Sequence, residues 1–213
     1  MLVLHEYFRS TSSFRTRIAL NLKGLQYRHV SVHLRSGAQR SDTYARLNPQ
    51  QLVPTLEDNG QALTQSLAII EYLEEIAPEP PLLPAAPADR ARVRAFALVA
   101  ACEVHPLHNL QVLKYLREEL GQDEDAVQRW IATWMSAGFR TMEAMLADAR
   151  TGDFVHGARP GLADLCLVPQ VFTARRFGVD TAAYPRCEAV FERCVALPAF
   201  DRARPDRQPD AEA

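Results

Sequence analysis

Lysine is almost missing from this chain: Lys23 and Lys114 are the only two, and arginine carries nearly all the positive charge. With 24 basic and 26 acidic residues, the formal net charge is -2, which excludes the strongly basic surface that nucleic-acid binding demands. No apolar run reaches the roughly 18–20 residues a membrane-spanning helix needs. The first residues lack a basic stretch leading into a long apolar core, so no secretory signal and no membrane partner are expected. Cysteine is sparse. Cys102, Cys166, Cys187 and Cys194 form no CxxC pair, and no metal-ligand spacing is found. Each falls among apolar neighbours in a stretch that reads as helix, so all four are expected to be reduced core thiols of a cytoplasmic protein. What is present is ample apolar content: 47% hydrophobic over 213 residues, enough for one large domain or two small ones.

The stretch Tyr7–Gly24 organises the rest. Leu2-Val3-Leu4 reads as a strand, and Ser10-Thr11-Ser12-Ser13 follows it closely. Phe14, Ile18, Ala19 and Leu22 then share one helical face, and Gly24 ends the helix. The hydroxyls therefore sit at a helix N-terminus. There, free N–H groups and the positive end of the helix dipole favour an anion, a thiolate included. By itself such a cluster is more often a simple N-cap.

Further along, Tyr27 to Leu34 reads as a strand, Ser36–Arg40 as a loop and Asp42–Leu47 as a short helix. Pro49 and Pro54 mark a connector. Asp58-Asn59-Gly60 is a hairpin signal, and a helix starts at Ser66, expected as its N-cap. The order β-α-β-α-β-β-α implies a right-handed parallel crossover with an added antiparallel hairpin. The proline-rich segment 77–87 reads as a linker between residues 1–79 and an all-helical region, 88–213. In that region a long helix should kink at Pro106. Val127 to Leu146 carries a Trp/Met stripe expected to form a bundle core. Gly161-Leu162-Ala163-Asp164 opens another helix, a last one covers about 186–196, and the polar end from Arg204 to Asp210 reads as frayed.

These motifs, in this order, resemble the cytosolic glutathione transferases. The opening Arg9–Leu20 is similar to the zeta class, as are Leu47–Pro54, Gln65–Leu73, His105–Leu110 and Ala174–Asp180. The resemblance spans essentially the whole chain. It implies a thioredoxin-like α/β N-terminal domain plus an all-α helical-bundle C-terminal domain. It also implies a homodimer and a glutathione-dependent cis–trans isomerase acting on 4-maleylacetoacetate. Maleylpyruvate is the alternative substrate, with conjugation or dehalogenation of other small electrophiles behind it. A non-catalytic interaction module on the same fold is the rival of a different class.

By the same resemblance, Ser10, Thr11 and Ser12 would surround the glutathione sulfur. Val53 and Pro54 would form a cis-proline turn pairing with its cysteinyl backbone. Gln65 and Ser66 would hold the γ-glutamyl end, and Gln39, His105 and Asn109 would complete the pocket. Arg9 and Arg176 would orient the substrate, since guanidinium forks suit planar carboxylates. Taken singly, each has a plainer use: His105 beside a broken helix, Arg175-Arg176 as a solvated helix end, Gln65 satisfying a hairpin backbone. Three departures stand out. Ser12 replaces the cysteine common at the third place of the motif, Gly161 replaces a capping hydroxyl, and Leu110 stands where some maleylpyruvate isomerases carry arginine.

Overall fold

The structure, a computed structural model, describes residues 1–212 and divides the chain into two compact units. The first runs from Met1 to Leu82 and also takes in the chain from Ala196 onward; the second is Leu83–Val195. In the first unit, β1 (Leu2–Glu6), α1 (Thr11–Leu22), β2 (Tyr27–Ser31), α2 (Asp42–Leu47), β3 (Thr55–Asp58), β4 (Gln61–Thr64) and α3 (Ser66–Ile76) follow in order. The sheet order is β2-β1-β3-β4, with β1–β2 parallel and the other pairs antiparallel. Alternate residues of β1 face inward: Leu2 and Leu4 are buried, as are Leu56 of β3, the strand partner of Leu4, and Ile18 of α1.

Several expectations are corrected here. β2 stops at Ser31, and what reads as a loop coils into two short 3-10 turns, Leu34–Ser36 and Ala38–Arg40. Ser66 is the first helical residue of α3. Its cap position is Gln65, held at a φ of 67°.

The second unit holds α4 (Pro87–Leu98), α5 (Leu110–Glu118), α6 (Glu124–Met145), α7 (Leu162–Arg176) and α8 (Pro185–Val195). Nearly every residue of α7 is buried, which explains why its sequence shows no polar face. The break at Pro106 is larger than a kink. Proline lacks an N–H and clashes with the preceding turn. The chain therefore widens into a π-helical stretch, Val99–Val104, tightens into a 3-10 turn, His105–His108, and starts afresh at α5. The π-helical stretch lies so close to α6 that a Cβ on Gly138 would meet Val104 at 2.0 Å, so only glycine fits there. The Trp/Met stripe of α6 is core at Val127, Ile131, Met135, Phe139 and Met142, but Trp134 faces outward. Cys102 is exposed on the π-helical stretch, against the expectation of four core thiols; the other three are buried.

The sequence reading placed 88–213 in a single helical unit. In the structure α9 (Pro198–Ala203) belongs with the first unit, burying Phe200 and Ala203 against α1. Arg17 donates to the Ala203 carbonyl and Asn21 to the Ala199 carbonyl. Nor is the polar end frayed: Asp210 and Glu212 bond to Ser31 and His33.

Candidate active site

Strand register explains why distant motifs converge. His5 pairs with Thr55, and Thr55 with Thr64. The turn after β1, the connector before β3 and the turn after β4 therefore open at one end of the sheet. Two helix N-termini, those of α1 and α3, also lie at that end, where the helix dipole is positive.

At the first turn Ser10 is the N-cap of α1, its hydroxyl accepting from the Ser13 N–H at 3.2 Å. The same oxygen lies 3.1 Å from the Ser12 hydroxyl, which donates to the Val53 carbonyl at 2.9 Å. A hydroxyl has one proton, so that of Ser12 is committed to Val53 and that of Ser10 remains free to turn. Ser10 and Ser12 are half-buried, while Thr11, at the start of α1, is buried. Arg9 is exposed, with its guanidinium 5.1 Å above the buried Phe8 ring.

The Val53–Pro54 bond is cis and both residues are buried. Asn48 shapes the turn before it, donating to the Leu52 carbonyl at 2.8 Å and to the Thr55 hydroxyl at 3.1 Å. The Tyr44 hydroxyl donates to the same carbonyl at 2.6 Å. Burial pushes the Tyr44 phenol up, against hydrogen bonds from Thr55 and Asn48 that favour its anion. Neither supporting residue stands out from periodicity; only the Asn-Pro dipeptide hints at them.

Gln65 is exposed and donates to the Gln50 side chain at 2.8 Å rather than to hairpin backbone. Its positive φ is a conformation that bulky residues adopt only when their surroundings impose it. Ser66 is buried beside it. Gln39 is buried on its 3-10 turn, and its amide oxygen has no hydrogen-bond partner. The orphaned buried acceptor of Gln39 suits an amine group of a ligand, and the hydroxyl at the start of α3 suits a carboxylate.

The second unit holds the other three residues. Asn109 caps α5, accepting from the Gln111 and Val112 N–H groups at 2.9 and 3.1 Å, a structural duty the sequence reading did not assign it. His105 opens the 3-10 turn, and its ring stands 5.4 Å from that of the buried His108. His108 meets Phe177 at 5.9 Å, and Arg176 lies 4.9 Å over the Phe177 ring. One row of edge-to-face rings thus joins His105 to Phe177, over which Arg176 lies. Arg175 is bound to α8 through Glu188 and Glu192 and lies over the Phe191 ring, so the two arginines part company. His108 and the buried Gln170 that contacts it at 3.1 Å escaped sequence reasoning, because a lone polar residue on an apolar face carries no pattern. Among the described residues no cluster of three or more His, Cys, Asp or Glu could hold a metal ion. Among them, too, no helix is long and apolar enough to cross a membrane.

Comparison with known proteins places this geometry. Residues 4–81 match the glutathione S-transferase N-terminal domain, and residues 124–193 the glutathione S-transferase C-terminal domain. The chain is 50% identical over 209 residues to a maleylpyruvate isomerase of Ralstonia sp, covering 98% of this chain and 99% of that one. It is 49% identical over 205 residues to the maleylacetoacetate isomerase of Rhizobium meliloti, covering 96% of each. Among solved structures, a zeta-class bacterial maleyl pyruvate isomerase in holo form superposes with a TM-score of 0.97 at 50% identity, covering 99% of this chain and 100% of that one. A maleylacetoacetate isomerase from Methylobacterium extorquens, with bound malonate and GSH, superposes with a TM-score of 0.96 at 42% identity, again covering 99% and 100%.

Proposed function

Since this chain belongs to the glutathione S-transferase family, we propose that it is a glutathione-dependent cis–trans isomerase converting 4-maleylacetoacetate to 4-fumarylacetoacetate in the cytoplasm, as a homodimer. The observation that carries this reading is the Ser10–Ser12 hydroxyl pair at the N-terminus of α1, anchored to the Val53 carbonyl. Bound glutathione supplies a thiolate that adds to the cis double bond and later leaves it, so that rotation about a single bond yields the trans product. The residues around it have separable tasks. Ser10, with the N–H groups and dipole of α1, holds negative charge on sulfur and so keeps the thiol deprotonated. Ser12 and Val53 fix Ser10 in place. Gln39, Gln65 and Ser66, with His105 and Asn109, hold the peptide ends of glutathione. Arg9 and Arg176 face the carboxylate and the enolate charge of the substrate.

Similarity to isomerases of both names leaves the acyl tail open. Leu110, exposed at the start of α5, favours maleylacetoacetate by family resemblance, since it stands where some maleylpyruvate isomerases carry arginine. The test is a coupled assay with both cis substrates, with and without glutathione, on the native protein and on Arg176→Ala. Turnover should require glutathione and favour maleylacetoacetate. Arg176→Ala should lose about a hundredfold in kcat/KM, the scale of one lost charge-stabilising donor. Turnover without glutathione rejects the isomerase reading, and full activity in the variant rejects the role of Arg176.

A further inference from the structure

Phe8 is held by both of its backbone polar groups, and the two holds meet in one circuit that runs from a buried ion pair to the half-buried Asp210. Glu6 of β1 and Arg17 of α1, both fully buried, form an ion pair. Such a pair persists only where its remaining hydrogen-bonding capacity is filled. Arg17 also donates to the Phe8 carbonyl at 3.0 Å. The other Glu6 oxygen lies 2.9 Å from Nδ1 of His29. Nε2 of His29 faces Oδ1 of Asp210 at 3.4 Å, a charge contact without hydrogen-bond alignment. Oδ2 of Asp210 closes the circuit, accepting from the Phe8 N–H at 3.2 Å and from the Ser31 hydroxyl at 2.9 Å.

Phe8 is also the pivot of the thiolate-binding turn. Its ring carries the Arg9 guanidinium at 5.1 Å, and the next residue, Ser10, donates its N–H to the Tyr7 carbonyl at 2.9 Å. Moving Phe8 therefore moves the two residues proposed to act on substrate and sulfur. We propose that Asp210, far along the chain, is a positioning residue: by holding the Phe8 N–H it sets the Ser10 hydroxyl and the Arg9 guanidinium in their working places. This rests on the glutathione-dependent reading of the site. The mechanism as derived above makes no use of Asp210.

Asp210→Ala removes the acceptor, whereas Asp210→Asn keeps an oxygen for the Phe8 N–H and loses only the charge. The readouts are the pKa of enzyme-bound glutathione, followed by ultraviolet absorbance of the thiolate, and the separate kcat and KM of isomerisation. In Asp210→Ala the bound thiol pKa should rise and kcat should fall by about tenfold or more, the consequence of displacing catalytic groups by a fraction of an ångström to an ångström. Asp210→Asn should restore both, at an unchanged melting midpoint. A wild-type thiol pKa and kcat in Asp210→Ala overturns the proposal. So does a loss that Asp210→Asn fails to recover, since that assigns the effect to charge alone. Should Asp210→Ala not fold, Ser31→Ala carries the test. It removes the second donor aligning the same oxygen and should raise the thiol pKa in the same direction; an unchanged value overturns the proposal. Wild-type protein that binds glutathione but turns over no cis substrate rejects the isomerase reading alone, because the thiol titration needs no substrate.

Discussion

Ser10 meets two demands with one hydroxyl. Its oxygen caps α1 through the Ser13 N–H, and its proton can turn toward a bound sulfur. A free thiol has a pKa of about 8.5, and lowering it by about two units needs roughly 2.7 kcal/mol of preferential anion stabilisation. A hydrogen bond to an ion contributes about 1.5–3 kcal/mol, so Ser10 alone meets that demand only at the top of the range, and it shares the task with the helix dipole and the N–H groups of the turn. Ser10→Ala should therefore raise the bound thiol pKa without returning it to the free value, as ultraviolet titration will read. It should also lower protein stability by about 1 kcal/mol through the lost cap, measured by urea unfolding. Ser12→Ala should act more weakly on the thiol, because its proton belongs to the Val53 carbonyl. At this scale the sequence was legible where a residue type is itself chemical: serines before a helix, or a glutamine and serine after a hairpin. It was not legible for Asn48, Tyr44 or His108, whose importance comes only from what they touch.

Helix α7 shows how an element survives the loss of its expected cap. Gly161 offers no side-chain oxygen, yet the helix starts there as the sequence predicts, because Asp164 accepts from the Gly161 N–H at 2.8 Å and from the Val155 N–H at 2.9 Å. Removing it orphans one buried and one half-buried donor, and Asp164→Ala should lower unfolding free energy by about 2–4 kcal/mol, measured by chemical denaturation. Burial outweighs those two bonds and raises the Asp164 carboxyl to about 6. An unfolded aspartate titrates near 3.9, so between about pH 4 and pH 6 the folded state holds the proton that the unfolded state gives up. The stabilising contribution of this group is thus greatest below about pH 4 and declines as pH rises toward 6. Asp164→Asn should flatten the pH dependence of stability in that window. The break at Pro106 was also legible, but its form was not. A proline announces that a helix cannot continue; whether it kinks or is rebuilt as π-helical and 3-10 turns depends on α6 packing against it.

For the whole molecule, the family relationship makes a second copy of this chain the partner to expect. Light scattering at micromolar concentration should give about twice the chain mass of 23.9 kDa; a mass near 23.9 kDa would refute the homodimer. The sequence alone determined the β-α-β-α-β-β-α order of the first unit, a division within the proline-rich segment and the cluster of hydroxyls at the N-terminus of α1. These depend on local physics: hydrophobic period, proline and glycine stereochemistry, and the preference of hydroxyls for helix N-termini. Only the tertiary structure decided that α9 and the acidic residues after it return to the first unit. An amphipathic segment states that it must cover an apolar surface, not which one. The same holds for the arginines: Arg175 and Arg176 are neighbours in sequence, but 100° of helical rotation sends one to α8 and the other to the ring of Phe177. Asp210 reads as one more acid in a polar tail. Its place against Phe8 exists because chain folding brings it 202 residues back, and no local rule encodes a contact over that separation.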